Sequence, residues 1–145
     1  MALSQALLQD LLLIAIQLSQ LPAVDVSQIP DVQLVSPTVL MEKVCPDEPA
    51  RCRNMAAVFD TEAYQIYVRA PFSEQNAMDK SFLIHELVHV LQFKLGGHER
   101  FGSCEAVLAN ERQAYQVQNL YLHQEGSDWR EGFSLRFMTC PTTAK

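Results

Sequence analysis

The most constraining feature of this chain is a helical stretch, residues 82–93, that is apolar on nearly every side and yet carries His85, Glu86 and His89. A helix that is hydrophobic all round belongs in the interior of a domain. Two imidazoles and a carboxylate are costly to bury there without a partner, and a bound cation is such a partner. The stretch therefore predicts a core helix built around a metal site. Its apolar members are Phe82, Leu83, Ile84, Leu87, Val88, Val90, Leu91 and Phe93.

The spacing of the three ionisable residues matches the zinc-hydrolase pattern H-E-x-x-H. Residues four apart on a helix project from the same face, so His85 and His89 can share one metal ion. Zinc lowers the pKa of a water toward ~7, and Glu86 lies close enough to take the proton. We expect His85 and His89 to be metal ligands and Glu86 to be the general base. The alternative is a helix that carries these letters by accident.

A third ligand is needed, because catalytic zinc sites use three protein ligands. A second helix is predicted over about residues 103–122, which contain good helix formers and no Gly or Pro. Glu111 lies on the largely apolar stripe of this helix, whereas Glu105 falls on its solvated side. At ~1.5 Å per residue, an antiparallel return brings Glu111 level with His89. Glu111 is therefore the predicted third ligand. The other candidates downstream are His98, Glu99, Glu105, His123 and Glu125.

A histidine as third ligand would need the longer pattern H-E-x-x-H-x-x-G-x-x-H. This chain has Gln92 at the glycine position and Leu95 at the last histidine position. The sequence therefore excludes a metzincin.

The remaining pattern predicts a single α+β domain over residues 1–145. An amphipathic N-terminal helix is expected over 2–21, ended by Pro22, and residues 22–41 read as an irregular connection with a short strand at 32–35. Two strand-like runs, 55–59 and 65–69, predict a β-hairpin, so a small, mostly antiparallel sheet is expected within 31–70. The active-site helix is expected over about 76–95, capped by Ser73 or Asn76 and ended by Gly96-Gly97, and residues 123–145 form a tail.

The cysteines predict two disulfides and an oxidising compartment. Four cysteines in a chain of this size fit two bridges, and sequence alone allows three pairings. We expect Cys45 to pair with Cys52 across a short Pro-containing segment, and Cys104 with Cys140 to tie the tail to a helix start. A secreted or periplasmic location follows, although no export signal is visible. A cysteine zinc site and free buried cysteines are the alternatives.

Composition limits the classes of partner. The net charge is −6 and the pI about 5.1, with no cluster of Lys or Arg, which argues against nucleic acid or an anionic membrane as the main partner. The apolar run at 11–16 is far shorter than the ~20 residues that a bilayer requires, so no membrane span is expected. The oligomeric state is left open.

His85-Glu86-Leu87-Val88-His89, followed by Asn110-Glu111 on the next helix, resembles the gluzincin clan of zinc metallopeptidases, whose third ligand is a glutamate often preceded by asparagine. The small size, the hairpin before the motif and the later Glu111-x-x-Ala-Tyr115-x-x-Gln pattern resemble minimal single-domain gluzincins, including uncharacterised bacterial ones. The resemblance covers roughly residues 54–122. One departure is Tyr115, which stands where thermolysin-like members have an aspartate that supports a histidine.

The resemblance implies a minimal zincin-like domain that holds one Zn²⁺ per chain and acts as a zinc metalloendopeptidase on a peptide or protein substrate. Tyr115 is a candidate for a catalytic role beside the substrate, ahead of Tyr121 and His123. Strand 65–69 is the candidate to pair with an extended substrate. Two rival functions remain, a latent or catalytically silent zinc-binding domain and a disulfide-held exported interaction module. An intact Glu86 favours the enzyme, because a structural zinc site has no use for a general base.

Overall fold

The computed structural model describes residues 3–141, and it confirms the α+β class. The predicted helix start at residue 2 and the end of the predicted tail, 142–145, lie outside the described residues. The longer elements are α1 (Gln5–Ser19), β1 (Asp31–Val35), α2 (Pro37–Val44), β2 (Ala57–Asp60), β3 (Gln65–Arg69), α3 (Ala77–Gly96) and α4 (Cys104–Gln124). Short 3₁₀ helices lie at Val26–Gln28, Pro49–Cys52, Gly97–Phe101 and Phe133–Phe137.

The three strands form one mixed sheet in the order β1-β3-β2, so the expectation of a mostly antiparallel sheet was wrong. β2 and β3 form the predicted antiparallel hairpin, but β1 runs parallel to β3. A parallel pair needs a crossover connection, and the segment that contains α2 and β2 provides it. β3 is therefore the central strand. Its backbone groups are paired on both sides, which contradicts the expectation that strand 65–69 pairs with a substrate.

α3 begins and ends where its sequence predicts. The Asn76 side chain accepts a hydrogen bond from the backbone N–H of Asp79 at 2.9 Å, and the helix stops at Gly97, which has a φ of 64°. The stretch from Leu83 to Gln92 is buried. It is buried all round because α1, α4 and β2 each pack against α3. The predicted core helix is confirmed, and its neighbours explain why its apolar residues occupy every face.

The main correction to the predicted element order is α2, a helix that begins within residues 22–41, which were read as an irregular connection. α2 begins at Pro37, and the Ser36 hydroxyl accepts a hydrogen bond from the Val39 N–H at 3.2 Å. Ser-Pro therefore ends β1 and also starts a helix, because proline is well suited to the first helical position. Leu40 anchors α2 in the interior, with 1% of its surface exposed. α1 is shorter than predicted, ending at a left-handed cap on Gln20.

Both predicted disulfides are present, Cys45–Cys52 and Cys104–Cys140. The first closes the loop between α2 and β2, and the second ties the tail to the first residue of α4. Two bridges are compatible with an extracellular or periplasmic protein. Within residues 3–141, no helix combines the length and the apolarity needed to cross a membrane.

Candidate metal centre

Three predicted ligands, His85, His89 and Glu111, lie together on the wall of a cavity. The Nε2 atoms of the two histidines are 3.2 Å apart. Glu111 places Oε1 2.5 Å from His89 Nε2 and Oε2 3.5 Å from His85 Nε2. One nitrogen or oxygen from each residue lies within 4.8 Å of the others. These three residues therefore form a group that could hold a metal ion.

Two antiparallel helices bring the group together. His85 and His89 share one face of α3, and α4 returns alongside, so that Gln92 contacts Asn110 near one end and His85 contacts Gln118 near the other. Glu111 lies at the margin of the buried stripe of α4, with its side chain 28% exposed. The buried stripe of α4 therefore lies about one residue away from the predicted apolar stripe. Val107, which belonged to the predicted stripe, is exposed. The buried members are Asn110, Ala114, Val117, Gln118, Tyr121 and Leu122.

A chain of hydrogen bonds fixes the tautomer of His85. Ser81 Oγ donates to the Met78 carbonyl at 2.7 Å, so it accepts the hydrogen bond from Gln118 Nε2 at 3.1 Å. The Gln118 Oε1 atom must then face His85 Nδ1, 3.0 Å away, and accept its proton. The Nε2 lone pair of His85 is thereby directed at Glu111 and His89. An acceptor on the far ring nitrogen of a histidine is the usual support for a metal ligand.

His89 is oriented in the same way by Gln92. Gln92 Nε2 donates to the Asn110 carbonyl at 3.0 Å and to Gln113 Oε1 at 2.9 Å, so its own Oε1 faces His89 Nδ1 at 2.8 Å. Gln113 in turn donates to the Ser19 carbonyl of α1 at 3.4 Å. Both histidines thus direct Nε2 toward Glu111.

The two Nε2 atoms and the Glu111 carboxylate form a group that favours positive charge, either a proton on His89 or a metal ion that replaces it. Burial lowers the pKa of His89, but the Glu111 hydrogen bond and the charges of Glu86 and Glu111 outweigh it and raise that pKa to about 9. Burial raises the pKa of Glu111, but its hydrogen bonds to His85 and His89 outweigh this and hold it well below its usual range. Two imidazole nitrogens and a carboxylate also form a known three-ligand set for catalytic zinc, which leaves one coordination position open. The residues present therefore fit a zinc ion.

Glu86 lies beside the group without being part of it. Its Oε1 accepts a hydrogen bond from the backbone N–H of Phe59, on β2, at 3.0 Å. Its Oε2 is 3.9 Å from His85 Nε2. The residue is 8% exposed and lines the cavity. The edge strand therefore holds one oxygen of Glu86, and the other oxygen is near the candidate metal position.

Of the three residues that the sequence offered as a polar group near a substrate, Tyr115 is the one that lines the cavity. Its ring packs edge-on against His85 with the centroids 4.5 Å apart. Burial, together with the charges of Glu111, Glu86 and Glu131, raises the pKa of Tyr115 to about 12, so its hydroxyl is a neutral donor at pH 7. Tyr121 instead donates to Glu125 at 3.0 Å, and His123 is exposed on the last turn of α4.

The other candidate ligands lie elsewhere. His98 forms an exposed pair with Glu62 at 3.8 Å, and Glu105 is exposed as predicted. Asn110, which precedes the glutamate in the resemblance, exchanges hydrogen bonds with Arg100 and so ties the turn after α3 to α4. The supporting roles of Gln92 and Gln118 were not predicted. Their signal was present, because each is an amide within an otherwise apolar surface.

The cavity has a volume of about 560 Å³ and contains more than the metal group. Its lining comes from β2 with the residues before it, 54–56, and from α3 and α4. Besides the two histidines, the ionisable side chains that line it within residues 3–141 include the carboxylates of Glu86, Glu111 and Glu131. The apolar and aromatic lining includes Met55, Val58, Phe59, Phe82, Phe101, Val107 and Tyr115.

A protein-family model described as a domain of unknown function (DUF6647) matches residues 6–133, so the chain belongs to this family. Comparison with curated proteins and with solved structures found no match.

Proposed function

We propose that this member of the DUF6647 family is a zinc-dependent peptidase, in which His85, His89 and Glu111 hold one zinc ion and Glu86 is the general base. The observation that carries the proposal is the convergence of the two histidine Nε2 atoms and the Glu111 carboxylate within 4.8 Å on a cavity wall, beside an independently held Glu86. A structural zinc site is usually closed by a fourth protein ligand, whereas this group has three and faces a cavity.

The chemistry needs a positioned base and a donor, and both are present. A bound zinc ion supplies Lewis-acid polarisation of a peptide carbonyl and lowers the pKa of water. Glu86 accepts the proton of the attacking water and returns it to the leaving amine, since its carboxylate is held by Phe59 on one side and is free on the other. The Tyr115 hydroxyl donates a hydrogen bond to the carbonyl oxygen as negative charge develops there. Gln118 and Gln92 keep the two imidazoles oriented.

The substrate we propose is an extended peptide. β2 is an edge of the sheet, and residues 54–59 line the cavity beside Glu86. An edge strand offers backbone groups to an incoming chain, which would then lie across the cavity. This assigns to β2 the role that the sequence suggested for the central strand β3.

The first test is metal content by mass spectrometry on protein dialysed against trace zinc. We expect about one zinc per chain in the wild type and in Glu86→Gln, and loss of zinc in His85→Ala and Glu111→Ala. The matched controls are His123→Ala and Glu105→Ala, which remove an exposed histidine and an exposed carboxylate from α4. Both controls should keep the zinc.

The second test is cleavage of a random peptide library by the zinc-loaded protein, with Glu86→Gln as the inactive variant. Cleavage in the wild type that disappears in Glu86→Gln supports the peptidase. Stoichiometric zinc without cleavage would replace it by the catalytically silent zinc-binding domain. Absence of zinc in the wild type would leave the disulfide-held interaction module as the better account.

A further inference from the structure

The segment that follows α4 is fixed beside the cavity by its backbone. Asn119 on α4 accepts a hydrogen bond from the Glu131 N–H at 2.8 Å and donates one to the Glu131 carbonyl at 3.0 Å. The next residue, Gly132, has a φ of 81° and lies against the Tyr115 ring, so that a Cβ there would come within 2.4 Å of the ring. Cys140 ties the end of the segment to the start of α4. The position of Glu131 is therefore set by the fold.

Glu131 brings a carboxylate to the cavity that the proposed chemistry does not use. Its side chain lines the cavity and is partly buried. Oε1 accepts a hydrogen bond from the indole N–H of Trp129 at 2.9 Å. Within residues 3–141 the carboxylate takes part in no salt bridge, so no cationic side chain of the described chain pairs with it directly.

Among the described residues, three carboxylates line the cavity, those of Glu86, Glu111 and Glu131. With zinc bound, Glu111 is a ligand and Glu86 is the base, which leaves Glu131 as the carboxylate free to act on a substrate. The negative charge of Glu131 helps to raise the pKa of Tyr115. A charge at a partly buried wall acts more strongly than one in open water, attracts a cation and repels an anion.

We propose that Glu131 is a specificity-determining residue, which selects substrates that carry a cationic nitrogen, either a lysine or arginine side chain or a free amino terminus. The inference rests on the proposed peptidase function for its reaction, but the selection itself can be measured by binding. Glu131 does not touch the zinc group, so its variants should keep the metal.

The test uses fluorogenic peptides that differ only at one position, which holds lysine, norleucine or glutamate and is moved along the peptide. Each peptide is made with a free and with an acetylated amino terminus. We expect kcat/KM in the wild type to favour lysine over norleucine, or the free over the acetylated terminus. Loss of a charged hydrogen bond should reduce that ratio about tenfold in Glu131→Gln, and Glu131→Lys should favour glutamate. The control is Asp128→Asn, which removes an exposed carboxylate three residues earlier.

A second readout does not need turnover. The same peptides are bound to zinc-loaded Glu86→Gln and to Glu86→Gln/Glu131→Gln, and their affinities are measured by fluorescence anisotropy at low and high salt. Tighter, salt-sensitive binding of cationic peptides that depends on Glu131 supports the selection even if the wild type cleaves nothing, in which case the peptidase proposal alone fails. Equal affinity for all peptides, no binding of any, or a preference that survives in the Glu131→Gln variants would overturn the proposal.

Discussion

At the scale of single residues, His89 is where a proton and the proposed metal ion would compete. Its pKa of about 9 means that the metal-free imidazole is protonated at pH 7, and a metal needs the same Nε2 lone pair. We therefore predict that zinc binding at pH 7 releases about one proton from this residue. Calorimetry in buffers of different ionisation enthalpy measures the number, which should fall toward zero above pH 9. A value near zero at pH 7 would show that His89 is neutral before the metal binds.

The ion pair between His89 and Glu111 makes the stability of the metal-free protein depend on pH. The pKa of His89 is raised above its usual 6.5, so its contribution to the free energy of unfolding is complete below pH 6.5 and is lost as the pH rises toward 9. The pKa of Glu111 is lowered from its usual 4.5, so its contribution is complete above pH 4.5 and is lost as the pH falls. Chelator-treated wild type should exceed His89→Gln in melting temperature most clearly between pH 4.5 and 6.5. A difference that is constant from pH 4 to 9 would contradict the ion pair.

The two glutamines that support the histidines should matter for metal affinity. Gln92→Leu and Gln118→Leu remove the acceptors of His89 and His85, and loss of such support typically weakens metal binding about 10- to 100-fold. Gln116→Leu is the matched control, because Gln116 is exposed on α4. Competition for zinc with a chromophoric chelator measures the affinities. Equal affinity in all three variants would show that the glutamines only fill space.

Sequence reasoning predicted the candidate metal group but not the side chains that support it. His85, His89 and Glu86 were predictable because one helix fixes their spacing, and Glu111 because an inward carboxylate on the next helix needs a partner. The roles of Gln92 and Gln118 depend on how α3 and α4 are rotated against each other. A displacement of the α4 stripe by one residue changes which side chain meets which ring, and a single sequence does not specify it.

At the scale of elements, local signals were predictable and non-local pairing was not. The caps of α3, the uninterrupted α4 and the β2–β3 hairpin each follow from residues close together in the chain. The parallel pairing of β1 with β3 joins Asp31 to Gln65 across a crossover, which no local pattern specifies. α2 was missed because Ser36-Pro37 ends a strand and starts a helix with the same two residues.

The N-terminal cap of α3 provides a direct test at this scale. Asn76→Ala removes the acceptor for the Asp79 N–H and should lower the free energy of unfolding by about 1 kcal/mol. Gln75→Ala changes the neighbouring exposed residue and should have little effect. Urea denaturation followed by circular dichroism compares the two. A larger effect of Gln75→Ala would show that the helix is capped differently in solution.

At the scale of the whole molecule, different interactions hold the core and the C-terminal tail in place. α3 is enclosed by α1, α4 and the sheet, and these elements supply the hydrophobic core. In the tail, residues 127–141, Leu135 alone is buried among the described positions. The tail therefore owes its place to Asn119, to the contact with Tyr115 and to the Cys104–Cys140 bridge rather than to burial. The candidate metal group lies on α3 and α4, whereas Glu131 lies on the tail.

This division predicts different results for the removal of each disulfide. In the chain-entropy model, bridges with sequence separations of 36 and 7 stabilise by roughly 4 and 2 kcal/mol. We expect Cys104→Ser/Cys140→Ser to lose less than that estimate, because the tail can detach while the core stays folded. It should keep its zinc, since His85, His89 and Glu111 do not depend on the tail, but its preference for cationic peptides should fall.

Cys45→Ser/Cys52→Ser is the matched comparison, because both of its cysteines are buried in the domain and neither lines the cavity. This variant should lose melting temperature and keep the preference. Thermal melts, zinc content and the lysine-to-norleucine binding ratio, measured on both variants in the Glu86→Gln background, separate the two effects. An unchanged ratio after loss of the Cys104–Cys140 bridge would mean that the Asn119 hydrogen bonds and the Tyr115 contact hold Glu131 at the cavity without it. Loss of zinc in that variant would mean instead that the tail supports the metal group itself.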